Sequence, residues 1–376
     1  MSIQLFVPTF RTEECLEEIK ECLNKGWTGL GFKTVQIEEK WKEYTGLENA
    51  HFLNSATVGL DMAVRILKME NGWADEDEVI STPITFISTN HAVMYNNMKV
   101  VFADVDEYLC LNPKSLEERI TEKTRAVIFV GLGGNSGRYE EVKEICKKHN
   151  LKLILDAAHM AGTRINGIHV GHDADVTVFS FQAVKNMPTA DSGMICFKEK
   201  KYDEIARKMA WLGINKDTYA RSVSTKGAYK WKYDVEYVGY KNHGNSIMAS
   251  IALVSLKYLD RDNAYRRQLA KWYDEELKDY KNIEVIKVAP NCESSRHLYQ
   301  ILVKDRDKLL LSLNEAEIYP GVHYLDNTEY RMYNYAKGLC PNAHKASDTI
   351  LSLPIHLKLT RDDIKFITKK IKELTQ

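Results

Sequence analysis

Two residues set the chemical question. Asp156 closes the apolar run 151–155 and is followed by Ala157, Ala158 and His159. A carboxylate at the C-terminal end of a buried parallel strand stands where open α/β sheets bind ligands. Lys185 follows a second such run, 174–181, and sits among phenylalanine, valine and methionine. Burial lowers the pKa of a lysine, and a neutral amine attacks carbonyl carbon. Each residue also has a plain reading. Asp156 would be a solvated turn aspartate, and Lys185 a surface lysine with its stem laid along apolar neighbours.

An anion site is the third element. Asn54-Ser55-Ala56-Thr57-Val58 precedes a helical pattern, so its free N–H groups and hydroxyls can hold a phosphate or simply cap the helix. Ser180 adds a hydroxyl close to Lys185. Neither this segment nor the glycine-rich stretch 131–137 matches a dinucleotide or Walker fingerprint. The stretch 131–137 reads as a flexible loop near the site. A lysine, a carboxylate and an anion cradle are what a phosphorylated pyridine aldehyde requires, together with a ring stacker. Phe86, at another strand end, is the candidate stacker. His159 is the candidate neighbour of the ring or of its phenolic oxygen. As isolated letters, both are ordinary packing residues.

The elements that must position these groups are legible in outline. Strands are predicted at 78–83, 99–106, 125–131, 151–156, 174–181 and 193–197, with helices at 12–25, 35–44, 58–69, 89–96 and 139–150. This alternation predicts an α/β domain with a mostly parallel sheet. Helix is expected at 201–212 and 246–285, a strand at 297–305, a helix at 307–317, a strand at 351–354 and a terminal helix at 360–374. The second stretch suits a smaller α+β domain, giving 1–245 as the large cofactor-binding domain and 246–376 as the small one.

Composition excludes other classes. Lys plus Arg and Asp plus Glu each number 52, so no general attraction to nucleic acid or anionic membrane is expected. No window approaches a membrane span, and the N-terminal residues lack a secretory signal pattern. Seven widely spaced cysteines predict buried free thiols in a reducing cytoplasm, with neither a disulfide framework nor a cysteine metal site.

The segments DAAHMAG (156–162), FSFQAVKNMPTADSGM (179–194) and NSATVGL (54–60) resemble the DegT/DnrJ/EryC1/StrS family of sugar aminotransferases, supported by 82–93, 99–106 and 351–354. The resemblance runs from about residue 7 to the C-terminal helix. It implies a fold-type I, aspartate aminotransferase-like enzyme that uses pyridoxal 5′-phosphate, with pyridoxamine 5′-phosphate during the cycle. It further implies a homodimer with shared active sites, an amino donor (L-glutamate) and a keto-sugar nucleotide acceptor. Lys185 would hold the cofactor as a Schiff base, Asp156 would pair with the ring nitrogen, and His159 would approach the ring oxygen. Phe86 would stack on the ring. Ala56, Thr57, Val58 and Ser180 would cradle the phosphate, which Asn242 or His243 would reach from the partner subunit. Thr28, Gly29, His323 and Tyr324 would contact substrate.

The sequence departs from the family pattern at Ala56, at 189–193 and at 129–134, where glycine, T-G-E-G-G and a Pro-Val-His loop are usual. Alternative acceptors are a cyclitol ketone or a keto-sugar phosphate. The pyridoxamine-dependent dehydratases of the family carry histidine in place of the lysine. A non-catalytic homologue would have no need of Lys185 and Asp156.

Overall fold

The computed structural model describes residues 2–215 and 233–375. Among the described residues, short aliphatic runs form thirteen strands. The main sheet takes β1 (Asn49–Leu53), β2 (Glu78–Ser81), β3 (Lys99–Phe102), β4 (Thr124–Val130), β5 (Lys152–Asp156), β8 (Val176–Ser180) and β9 (Gly193–Phe197), in the order β1-β9-β8-β5-β4-β2-β3. Strands β3, β2, β4, β5 and β8 are mutually parallel. Only β9 runs against its neighbours, pairing Ser180 with Gly193 and Leu53 with Gly193. The C-terminal ends of β1, β2, β4, β5 and β8 therefore share one edge. Burial on both faces explains why these strands read as continuous apolar runs.

Helices cover the sheet, and four bear on the site: α1 (Thr12–Asn24), α2 (Phe32–Thr45), α3 (Ala56–Asn71) and α4 (Ser88–Met94). Between α2, β1 and helix Lys200–Met209 lies a buried polar network. Glu38 accepts from His51 Nδ1 (2.8 Å), the Phe52 N–H (2.9 Å) and Arg207 Nη1 (2.8 Å). Burial alone would push the Glu38 carboxyl up; Arg207, His51 and the Phe52 amide outweigh it and bring it down to about 2.

The C-terminal part builds an antiparallel sheet, β10 (Ile283–Val285), β12 (Tyr299–Val303) and β13 (Ile350–Leu353), with helices Arg306–Glu315 and Arg361–Leu374. A two-stranded turn, β6 (Arg164–Ile165) and β7 (Ile168–His169), pairs with β11 (Cys292–Glu293). The second core gathers residues from 269–371 and also Ile3, whose segment pairs with Ile318. Tyr333, Ala336, Cys340, Ala343 and Ala346 instead join the core of the main sheet. The long helix spans Ser246–Leu277, shorter than the 246–285 expected. Lys278 leaves helical geometry and Asp279 turns through a positive φ of 61°, so that Ile283 can pair with Val303. The charged periodicity continues past this turn and conceals it. All seven cysteines are free, and six are buried.

Candidate active site

The shared edge of the sheet frames a cavity of about 420 Å³. Each strand end delivers one part. The turn after β1 brings Ser55, Ala56 and Thr57; the turn after β2 brings Thr85 and Phe86; β4 delivers Gly131; β5 delivers Asp156 and His159; β8 delivers Ser180, Gln182 and Lys185. His323 and Tyr324 close the cavity from the C-terminal part. Of the sequence candidates, Lys185, Asp156, His159, Ala56, Thr57, Ser180, Phe86, His323 and Tyr324 all line this cavity.

Asp156 is buried. Its Oδ2 accepts the Thr89 hydroxyl at 2.7 Å and its Oδ1 accepts the Ala158 N–H at 3.1 Å. Thr89 is itself held by Thr85 (2.8 Å). Burial pushes the Asp156 carboxyl up; Thr89, the Ala158 amide and Lys185 pull it back. Burial pushes the Lys185 amine down to about 8, with Asp156 opposing. A substantial neutral fraction near neutral pH is what a carbonyl-attacking amine requires. The loop carrying Lys185 is closed on itself: Phe181 N–H donates to Ser192 O (2.9 Å), Thr189 N–H to Phe181 O (2.8 Å) and Ala183 N–H to Ala190 O (2.9 Å).

Histidine tautomers follow from the backbone. The Gly133 N–H donates to His159 Nδ1 at 3.1 Å, so the proton of the neutral ring sits on Nε2, 3.3 Å from the Tyr324 hydroxyl. Burial, with Lys185 and His323 adding, holds His159 well below the ordinary histidine range. His159 is therefore a neutral donor. The glycine stretch that supplies this bond is not the loose loop expected. Residues 131–136 are all buried. Gly133 and Gly134 have positive φ, and a Cβ on Gly134 would lie 2.3 Å from Ser295 Oγ. Glycine is there because two parts of the chain meet too closely for a side chain.

At the anion end, Ser55 caps α3 through its hydroxyl and the Val58 N–H (3.4 Å). Val58 thus serves the cap and does not line the cavity. The first N–H groups of a helix have no intrahelical partner and carry the positive end of its dipole. Ala56 and Thr57 line the cavity together with Ser180, Gln182 and Ser192. Gly193 permits this approach, since a Cβ there would lie 2.7 Å from the Ala56 nitrogen.

Besides Val58, four more candidates lie outside this chain's cavity. Thr28 and Gly29 are exposed, and their carbonyls accept the Ser246 N–H at 3.0 and 2.8 Å. They tie the α1–α2 turn to the long helix. Asn242 O accepts the Asn54 N–H at 2.9 Å, and His243 bridges to Leu53. Both run along the edge of β1 just before α3. Conversely, sequence reading missed Thr89, Gln182, Phe6 and His297. His297 lies 4.3 Å from His159 between ring centroids, and Phe6 stacks on His297 at 5.3 Å.

Comparison with known proteins decides the family. The model of the DegT/DnrJ/EryC1/StrS aminotransferase family matches residues 10–372. The chain belongs to this family. An uncharacterized protein of Methanocaldococcus jannaschii, MJ1066, is 32% identical, the match covering 98% of this chain and 97% of that one. The UDP-4-amino-4,6-dideoxy-N-acetyl-beta-L-altrosamine transaminase of Campylobacter jejuni serotype O:23/36 is 31% identical, covering 90% and 88%. Among solved structures, the putative sugar aminotransferase Spr1654 of Streptococcus pneumoniae superposes with a TM-score of 0.89 in its PLP form, at 26% identity over 100% and 99% of the chains. Its PMP form gives 0.90. The DegT/DnrJ/EryC1/StrS chain described above is thus a fold-type I aminotransferase in architecture as well as in sequence.

Proposed function

We propose that this chain is a pyridoxal-phosphate-dependent aminotransferase that moves an amino group from L-glutamate to a keto-sugar nucleotide in amino-sugar biosynthesis. The observation that carries the reading is a half-buried amine and a buried carboxylate on the wall of one cavity, each shifting the other's titration, with the N-terminus of α3 on the same wall. The residues fit the cofactor. The donor set offers an amine for its aldehyde, an anionic acceptor for its ring nitrogen and amide and hydroxyl donors for its phosphate. When bound, the cofactor supplies an electron-poor ring that stabilises negative charge as the substrate Cα–H bond breaks.

The rest of the work belongs to the protein. Asp156, fixed by Thr89 and the Ala158 amide, would serve the ring nitrogen of the bound cofactor as an anionic acceptor. Lys185 takes and returns a proton at Nζ, acting as both base and acid. His159 donates from Nε2, and donors aimed at developing charge in a water-poor cavity are where much of enzymatic acceleration arises. Ala56, Thr57 and Ser180 would hold the phosphate, and Phe86 would pack against the ring. Lysine at position 185 speaks against the dehydratase chemistry of the histidine-bearing relatives.

The working unit is a homodimer in which Asn242 or His243, with Thr28 and Gly29, serves the partner's cavity. Asn242 and His243 lie along the β1 edge and Thr28 and Gly29 in the α1–α2 turn, all outside their own cavity. Among the described residues, no helix is long and apolar enough to cross a membrane; a cytoplasmic location accords with the free cysteines.

Borohydride reduction of the coloured holoenzyme should fix the cofactor to Lys185, as read by peptide mapping; attachment elsewhere overturns the assignment. L-Glutamate should then convert the enzyme to its pyridoxamine form. Keto-sugar nucleotides should discharge that form faster than inososes or keto-sugar phosphates, and the reverse order would move the acceptor class. Mixing a Lys185→Ala subunit with a His243→Ala/Asn242→Ala subunit should restore part of the activity, because mixed dimers hold one intact site. No recovery after verified subunit exchange would count against the shared site.

A further inference from the structure

Two histidines meet on the wall of the cavity. His297 is 3% exposed and His159 7%. Their ring planes are tilted by 39°, and Phe6 stacks on His297 with the planes 8° apart. The backbone ties the pair together. Gly133 gives its N–H to His159 Nδ1 and accepts the His297 N–H on its carbonyl, each at 3.1 Å. Ser295 Oγ donates to the His159 carbonyl at 2.7 Å. The proton of the His297 ring can be placed as well. Asn186, the residue after Lys185, donates from Nδ2 to Asn263 Oδ1 and to Ser295 O, both at 2.7 Å. Its Oδ1 is left to accept, so His297 Nδ1, 3.0 Å away, carries the hydrogen. Burial, with His159, Lys185, His323 and Arg266 adding, holds His297 well below the ordinary histidine range. Both rings are therefore neutral, in opposite tautomers.

We propose that His297 is a positioning residue that acts through His159: backed by Phe6 and pinned by Asn186, it walls the His159 ring off from water and so fixes which nitrogen carries the proton. The role deepens the aminotransferase reading and rests on it for what His159 does there. A hydrogen on His159 Nδ1 would face the Gly133 N–H, donor against donor. Water is what would stabilise such a cation. Of the two rings beside His159, His297 stands nearer, at 4.3 Å against 6.1 Å for Tyr324. Besides burial, Lys185 from the lysine loop and His323 from the C-terminal part disfavour a charge on His159. Arg266 of the long helix disfavours one on His297. Tyr324 meets His159 as a neutral hydroxyl. Asp156, the carboxylate that would favour a charge, is held by Thr89 and the Ala158 amide.

The test compares two substitutions, neither of which retains the His297 proton. In His297→Phe a ring still covers His159; in His297→Ala the cover is gone. The full-length apoprotein of each is unfolded in urea between pH 7.5 and 5. A histidine kept neutral in the fold takes up a proton when the chain unfolds, so stability falls as pH drops below about 6.5. The folding constant of His297→Phe should therefore fall by about tenfold more over this range than that of His297→Ala. In the holoenzymes, the half-reaction rate of His297→Ala with L-glutamate should drop behind that of His297→Phe by about tenfold between pH 8 and 5.5, as His159 takes up its proton. Parallel unfolding curves, or half-reaction rates in a constant ratio across the range, overturn the proposal. The unfolding measurement needs no cofactor, so its outcome is separate from the borohydride test of Lys185. If His297→Ala fails to fold, Phe6→Ala against Phe6→Leu reads the same cover: the first should show the shallower pH dependence, and parallel curves overturn the proposal equally.

Discussion

Lys185 and Asp156 carry the sharpest expectations at the level of single side chains. Asp156→Asn keeps the shape and the Ala158 contact but loses the anion. It should retain cofactor and lose about two orders of magnitude or more in half-reaction rate, measured by stopped-flow absorbance with L-glutamate. Lys185 also leaves a mark on stability in the cofactor-free protein. Its folded value of about 8 lies below the ordinary 10.5. Between these values the unfolded chain binds more protons than the folded one, so this residue makes stability rise with pH across that window. Relative to Lys185→Met, the wild-type apoprotein should gain about 3 kcal/mol from pH 8 to 10.5, read by urea unfolding at each pH. Parallel curves for the two proteins would show that the amine is not buried. The placement of Lys185 and Asp156 was legible in the sequence because each follows an apolar run whose strand ends at the cavity. Thr89 was not. It reads as an ordinary position near the start of a helix, and only the parallel packing of β2 beside β4 and β4 beside β5 brings its hydroxyl to Asp156.

Among secondary-structure elements, strand existence was far more legible than strand direction. The apolar run at 193–197 announces a strand, yet nothing in it states that β9 reverses. Apolar runs report burial and are silent about partners. The reversal makes position 193 critical. A Cβ on Gly193 would press against backbone atoms, the Ala56 nitrogen at 2.7 Å and the Phe179 oxygen at 2.8 Å, and backbone yields little. Gly193→Ala should therefore displace the α3 N-terminus and weaken pyridoxal phosphate binding by about tenfold or more, measured by equilibrium dialysis. Ser55→Ala removes only the cap and should cost about 1 kcal/mol of stability with a smaller loss of cofactor affinity.

Across the whole molecule, chain order and spatial order diverge. Ile3 packs in the second core, while Tyr333 to Ala346 pack in the first. Phe6 and His297 reach the cavity from these crossings, which is why no local pattern flagged them. Long-range electrostatics follow the same logic. Glu38, His51 and Arg207 come from three elements and meet at the buried Glu38 carboxylate. Arg207→Ala would strand a buried carboxylate and should destabilise by about 3–5 kcal/mol. Glu38 has a depressed pKa of about 2, so its contribution is full above its ordinary 4.5 and fades as pH falls from there toward 2. Chemical denaturation of wild type and Glu38→Gln between pH 6 and 3 would show the two curves converging.

The closed lysine loop has one more implication. Because both legs of 181–192 are stitched to each other and to the β8–β9 pair, the amine has no hinge of its own. Deuterium uptake at the amides of Phe181, Ala183 and Thr189 should be as slow as in the central strands. Warming would then erode the outer walls first, and the nucleophile would be the last part of the pocket to lose its address.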